Sequence, residues 1–411
     1  VVESAAEPDM PVLSCPDCGL EQAVPPLASG MVASCGRCGG TLERRAGSNL
    51  DAALAFALAA LVLLVPANLM TLMRMRFEGS DSQDWLISGA VALWQQGYHI
   101  LGGVIGLLVV AVPPIWLGLL VLVLVAVRFA IPIAGLGRIF RIALTLRPWA
   151  MVDVFLVGSF VAYTRLQDFS GIDVMDGGWA FVGVALAVLA IDPSLDRRRI
   201  WTAIGPETDG REPRADDFAC LGCERRSGTD EEGLACPRCG AILARRKVDS
   251  VERTAALAAA GWLLYVPSMA LPVMTVIRFG RAEPNTILSG VRELFDLGLW
   301  PLAIIVFAAS IVIPIVKLSG LTWFLIAVRR ADGGQLVART RLHRLIELIG
   351  RWSNIDVFMI SILAGLVRYD ELAAVRAEPG AFAFAAVVIL TMLAAARFDS
   401  RLMWDVAGAP A

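Results

Sequence analysis

Charged residues are scarce in this sequence: Lys, Arg, Asp and Glu make up 18% of 411 residues, while 57% are hydrophobic. About a quarter charged is the norm for a soluble domain, so this balance, with a mean hydropathy of +0.67, excludes an ordinary soluble fold and points to a membrane protein. The net charge of -2 gives no ground for a nucleic-acid partner. No G-x4-G-K-[ST] motif occurs, so ATP is not the energy source within this chain. No long apolar run precedes about Asn49, and a polar, cysteine-bearing segment stands first, so a cleaved signal peptide is not expected. Histidine occurs only twice, as His99 and His343. Each stands singly, and neither makes a convincing ligand or general base.

Cysteine is absent from every apolar run. All eight lie in two polar segments, as Cys15-x2-Cys18 with Cys35-x2-Cys38 and Cys220-x2-Cys223 with Cys236-x2-Cys239, the pairs separated by 16 and by 12 residues. This is the spacing of two knuckles closing one tetrahedral four-thiolate site, because a tight turn presents two sulfurs to one ion. Gly19, Gly39 and Gly240 follow three of the turns, where the backbone must wrap closely around sulfur; Glu224 stands at the fourth. Four thiolates leave no open position, so the reading is two structural zinc sites, with iron as the alternative and thioredoxin-like redox pairs as a further rival. No βαβ pattern surrounds the pairs, which weighs against redox chemistry.

The chain repeats itself. After the first cysteines come Arg44-Arg45 and an apolar run ending V-P-A-N-L-M-T-L-M-R-M-R-F (Val65 to Phe77); after the second come Arg245-Arg246-Lys247 and V-P-S-M-A-L-P-V-M-T-V-I-R-F (Val266 to Phe279). L-I-S-G and I-L-S-G, a Pro-interrupted run, a basic loop, the word W-x3-D-V-F and a closing D-x-R follow in the same order, matched positions lying 201 to 203 residues apart. The expected architecture is a mostly α, polytopic helical membrane protein, a tandem duplication of a four-helix transmembrane unit, each copy preceded by a small zinc ribbon. The expected bounds are ribbon 1 at 10–47, unit 1 at 48–200, a linker at 201–215, ribbon 2 at 216–248 and unit 2 at 249–405. Each unit holds four apolar segments, near 51–73, 100–127, 150–165 and 178–192, then 254–276, 300–328, 352–368 and 381–396. A span takes about 20 helical residues, so the last two of each unit are short; eight spans is the expectation, six the alternative.

Charge orients the spans. Arg128, Arg138, Arg141 and Arg147, then Arg329, Arg330, Arg339, Arg341, Arg344 and Arg351, follow the second spans, whereas Glu78, Asp81, Asp84, Asp168, Asp173, Asp176, Asp370, Glu371 and Glu378 mark the loops after first and third spans. Basic loops stay inside, which places both termini and both ribbons in the cytoplasm.

Ionisable residues inside spans are functional candidates by default. Lys317, in I-V-I-P-I-V-K-L-S-G with Ser319, lies roughly 18 Å along a helix from Arg329, too far for easy snorkelling. The plainer reading is a Lys facing a wet cavity. Trp116 takes its place in the first repeat. Asp153 and Asp356 each follow a Trp by four residues, Asp356 within R-W-S-N-I-D-V-F beside Ser353 and Asn354. A helix-dipole and interface role comes first for both, a polar cavity second. Lys317 lies about 10 Å deeper than Asp356 by helix rise, which weighs against an ion pair. Pro66 and Asn68, and Pro267 and Pro272, interrupt the far ends of the first spans, where freed carbonyls need a partner or water; a simple kink is the alternative.

With the knuckles, the P-A-N word and the W-x3-D-V-F word together, residues 13 to 405 resemble the paraquat-inducible protein A family. The resemblance implies a protein of the bacterial inner membrane, multi-pass, with cytoplasmic zinc ribbons, acting with a periplasmic MCE-domain protein that forms a lipid tunnel. It implies transfer of phospholipid between the inner membrane and that tunnel, and no enzyme activity. The readings kept beside it are a thiol-linked stress-response protein and a small-solute or proton-coupled transporter.

Overall fold

A computed structural model describes residues 12–45, 50–77, 80–167, 171–206, 217–278, 281–369 and 373–408. Four of the loop acids named above, Glu78, Asp168, Asp370 and Glu371, lie outside the described residues.

Ribbon 1 is two short hairpins, β1 (Val12–Ser14) with β2 (Glu21–Ala23) and β3 (Val32–Ser34) with β4 (Thr41–Arg44). Unit 1 follows as α1 (Leu50–Leu69), β5 (Met73–Phe77), β6 (Ser80–Asp84), α2 (Ser88–Gln95), α3 (His99–Gly106), a π-turn over 107–111, α4 (Val112–Arg128), α5 (Leu136–Leu146), α6 (Val152–Gln167), β7 (Gly171–Val174), α7 (Asp176–Ser194) and α8 (Arg197–Ile204). Ribbon 2 carries β8 (Phe218–Ala219) and β9 (Arg226–Ser227). Unit 2 repeats the order: α9 (Ser250–Ala270), β10 (Met274–Arg278), β11 (Arg281–Asn285), α10 (Ile287–Asp296), α11 (Trp300–Phe307), a π-turn over 308–312, α12 (Ile313–Arg329), α13 (Leu336–Ile349), α14 (Ile355–Leu366), β12 (Arg368–Tyr369), β13 (Ala373–Ala377), α15 (Pro379–Arg397) and α16 (Arg401–Val406).

The fold is therefore a mostly helical tandem duplication with a four-cysteine cluster near the start of each half. In each unit the first and last long helices pack on each other, α1 on α7 and α9 on α15. The chain between spans folds into an antiparallel sheet, β6-β5-β7 in unit 1 and β11-β10-β13-β12 in unit 2. Among the described residues six helices are long and apolar enough to cross a membrane: 50–69, 99–128, 136–164, 176–194, 300–329 and 379–397. The unit 2 counterparts of α1 and α6 are not among them. α9 carries Glu252 and Arg253 in its first turn, and α14 has only 12 residues.

The two π-turns occupy matched positions and have one cause. Pro113 and Pro314 stand just beyond them. A proline supplies no N–H and crowds the carbonyl four residues back, so the helix widens by one residue there.

The units meet along α6 and α14, the two copies of the W-x3-D-V-F helix. Phe155 and Phe358, which are matched positions, stack edge to face with ring centroids 5.5 Å apart. Gly158 permits the approach, since a Cβ there would lie 3.1 Å from Phe358 Cβ and 3.2 Å from the Ile355 carbonyl. All 12 residues of α14 are buried. Part of that cover comes from α2, where a Cβ on Gly89 would collide with the Ser361 carbonyl. Gln96, just past α2, completes the seam: its amide donates to the Val375 carbonyl (3.1 Å) and accepts from the Ala377 N–H (2.8 Å).

Candidate functional site

Two kinds of site emerge, and the cysteine clusters are the better defined. In each, all four sulfurs lie within 4.8 Å of one another, and all eight cysteines are buried and free. Opposed sulfurs are 3.5 Å (Cys15 and Cys38), 3.6 Å (Cys18 and Cys35), 3.6 Å (Cys220 and Cys239) and 3.7 Å (Cys223 and Cys236) apart. A disulfide would hold them at about 2.05 Å. Four sulfurs each about 2.3 Å from one tetrahedral ion would stand about 3.8 Å apart, so the spacing suits metal and not oxidation. The knuckle turns are built alike: the residue after each second cysteine donates its N–H to the first cysteine's carbonyl, at 2.9 Å for Gly19, Gly39 and Glu224 and 2.7 Å for Gly240. Their φ values are 76°, 68°, 62° and 66°, so Glu224 adopts the left-handed conformation its three glycine counterparts take freely. Donors also aim at sulfur, among them the Arg37 N–H and the Gln22 amide on Cys35 and the Gly40 N–H on Cys38. Such bonds favour thiolate, the form that binds metal. Each cluster can hold one metal ion.

The second site lies inside the helices. Lys317 is fully buried, and its amino group donates to the Gly350 carbonyl at 3.2 Å. Gly350 lies where α13 passes into a 3-10 turn over 350–354 that leads on to α14, so the ammonium meets a backbone acceptor at the junction of two helical segments. The junction comes to the lysine, and no snorkelling is needed. Asp356 accepts from the Ser310 hydroxyl. Ser310 lies in the second π-turn, four residues before Pro314, so the distortion that proline imposes also presents a hydroxyl to the carboxylate.

Asp153 has a different task. Buried at the start of α6, it faces the Arg351 guanidinium of unit 2 at 3.1 Å. Arg351, read from sequence as one of many loop arginines, ties the units together. The other candidates divide. Ser353 and Asn354 are buried, with the Asn354 amide against the Met151 sulfur (3.2 Å) and the Arg351 carbonyl (3.4 Å). Ser319 is exposed on the outer face of α12, whereas Lys317 is buried. Asn68 bonds back to the Leu64 carbonyl at 2.8 Å within its own helix. His343 is buried between Phe324 and Phe398, ring centroids 5.9 and 5.4 Å away, and burial pushes its pKa down to about 4. That environment holds a neutral, packed ring.

In unit 1 the cation comes from the opposite partner. Trp116 replaces Lys317, and Arg147, which matches Gly350, lies 5.0 Å over the Trp116 ring and pairs with Asp192 through two bonds of 3.3 and 2.8 Å. Each unit thus buries one cation at this level, but only unit 1 neutralises its own with a forked carboxylate pair. Ser310 was not legible as a candidate from sequence; a lone hydroxyl in the run A-A-S-I-V-I-P was the available signal.

The family described as Paraquat-inducible protein A matches residues 50–205 and again 251–407. The chain belongs to the paraquat-inducible protein A family. The two matches are the two units. Among this family's members, the chain is 33% identical over 400 residues to the Intermembrane transport protein PqiA of Escherichia coli (strain K12), covering 95% of both chains. It is 29% identical over 391 residues to the Lipophilic envelope-spanning tunnel protein A of the same strain, covering 95% of this chain and 90% of that one. A Probable intermembrane transport protein of Haemophilus influenzae is 26% identical over 410 residues, 97% of each. No solved structure matches the chain.

Proposed function

We propose that this protein is the inner-membrane component of a lipid transport system, loading or receiving phospholipid for a periplasmic MCE-domain tunnel protein. The observation that carries this reading is the likeness, over 95% of the chain, to relatives named for intermembrane transport and for an envelope-spanning tunnel. The buried polar groups agree with it. A lysine and a carboxylate in an apolar bundle are costly, and in transport proteins such groups lie along the path of substrate or proton. Lys317 and Asp356, with Ser310, are the transport residues in this reading, and the protein is not an enzyme. Zinc is the ion of both clusters, since four thiolates in a tetrahedral, closed set are its usual structural site. They would fold the ribbons and perform no chemistry.

By repeat symmetry the chain crosses the membrane eight times, α9 and α14 counting as spans because their counterparts qualify. Both termini and both ribbons are cytoplasmic, and the two sheets periplasmic, in accord with the arginines after each second span. The protein purified from native membranes should carry phospholipid and an MCE-domain protein, both identified by mass spectrometry. Recovery of neither, from membranes in which the partner is present, would refute the reading.

A further inference from the structure

Each ribbon docks on the unit that it does not precede. Ribbon 1 lies on unit 2: the Arg344 guanidinium of α13 donates to the Cys38 carbonyl (2.5 Å) and the Gly39 carbonyl (3.0 Å), and pairs with Asp17 at 3.3 Å. Ser400 donates to the Asp17 carbonyl at 2.9 Å, and Arg37 lies 5.0 Å over Trp404 of α16. Ribbon 2 lies on unit 1 at the matched place, but by close packing: the Arg238 carbonyl stands against Gly137 of α5, where a Cβ would collide with it. Arg141 and Arg138 of α5 reach the Gly222 and Gly240 turns, within 3.2 and 3.1 Å of where a Cβ would stand. Arg238 donates to the Trp201 carbonyl at 3.0 Å and lies 5.5 Å over that ring. The residues correspond: Arg141 with Arg344 and Trp201 with Trp404 at a separation of 203, Arg37 with Arg238 at 201. The repeat therefore exchanges its ribbons, and Arg226 of ribbon 2 meets Glu21 of ribbon 1 at 2.7 Å where the two cross. Each ribbon also keeps a tie to its own unit: Glu43 of ribbon 1 pairs with Arg198 at 2.6 Å, and at the end of ribbon 2 Arg246 pairs with Asp405 at 2.7 Å and Lys247 donates to the Ala396 and Phe398 carbonyls at 2.9 Å.

We propose that the ribbons are crossed braces: closing either four-cysteine site holds the opposite transmembrane unit in place. The groups that grip α13 and α5 are backbone carbonyls and turns of the knuckles themselves, and a knuckle keeps that shape only while its four sulfurs converge. Loss of one ion then frees an arginine-bearing helix of the other half. The contact between α6 and α14, which α13 leads into through Arg351 and Asp153, loses its outer support. This rests on the metal reading, but the docking residues test it separately.

Hydrogen exchange on the purified full-length protein, with metal content measured on the same samples, decides the matter. Cys15→Ser should raise exchange of α13 (336–349) roughly tenfold and leave α5 (136–146) protected; Cys236→Ser should do the reverse. Arg344→Ala and Arg141→Ala, which keep all eight cysteines, should retain full metal yet raise exchange in ribbon 1 (12–45) and ribbon 2 (217–247) respectively. They serve where a cysteine variant fails to accumulate. Exchange rising in α5 for Cys15→Ser, or confined to the altered ribbon, would overturn the proposal. So would unchanged ribbons in the two arginine variants.

Discussion

Lys317→Met is expected to leave the protein at normal abundance and to abolish the envelope-barrier function of a cell that depends on it. A lysine at the centre of a span costs about 3 kcal/mol on insertion scales, so a lysine without a role should be improved by methionine. Methionine fills similar volume with a flexible apolar chain, and the Gly350 carbonyl it abandons stays within the helical path from α13 into the 3-10 turn. Asp356→Asn should lose less, because the amide oxygen still accepts from Ser310 while the charge is gone. Trp116→Phe serves as control: that ring packs under Arg147, whose charge Asp192 already holds. Plating on detergent or a bulky antibiotic, with immunoblotting for abundance, reads the outcome. Intact barrier function in Lys317→Met at normal abundance would leave Lys317 an incidental cation beside a helix end.

Metal loss should have the other large effect. Wild-type protein is expected to hold about two zinc ions per chain, and either Cys15→Ser or Cys236→Ser about one, with a fall in protein level. Structural zinc binds peptides of this kind with apparent free energies of about 10–16 kcal/mol, most of which is folding free energy for so small a module. The ribbons have little other core: Cys15, Cys18, Cys35 and Cys38 are the buried centre of ribbon 1, in one cluster with Phe324, Phe398 and Trp404 of unit 2, and ribbon 2 adds Phe218, Ala241 and Leu243 to its own four cysteines. Elemental analysis of protein prepared under reducing conditions gives the count. Iron at the same stoichiometry would correct the ion alone; two intramolecular disulfides without metal would remove the site.

The duplication and the clusters were legible because both rest on short words of fixed spacing, and a tetrahedral ion tolerates few arrangements of cysteine. The knuckle with Glu224 was legible too, since its neighbours fix the turn whatever residue follows. The crossing of the ribbons was not. Arg344 and Asp17 are more than 300 residues apart, and a chain that places each ribbon before a unit suggests by its order that the two belong together. Lys317 could be picked out as costly, yet its partner is a backbone carbonyl, which no sequence pattern marks. Asp153 and Asp356 looked alike for the same reason: the shared word fixes their helix position, and the Arg351 and Ser310 that separate their tasks come from elsewhere. Arg351 was hidden among arginines whose collective charge was the only signal drawn from them. Ser319 lies apart from Lys317 despite being near it in the chain, because two residues beyond Lys317 on a helix is another face.

Lipid transfer can be measured directly. The protein is reconstituted in vesicles containing a labelled phospholipid, and the purified periplasmic MCE-domain protein proposed above as its partner is added outside; label on that protein is followed with time. Labelled phospholipid should reach the partner from vesicles holding the wild-type protein, and should not from vesicles holding Lys317→Met or from empty ones. Equal transfer from all three would contradict the assignment of lipid handover to this chain.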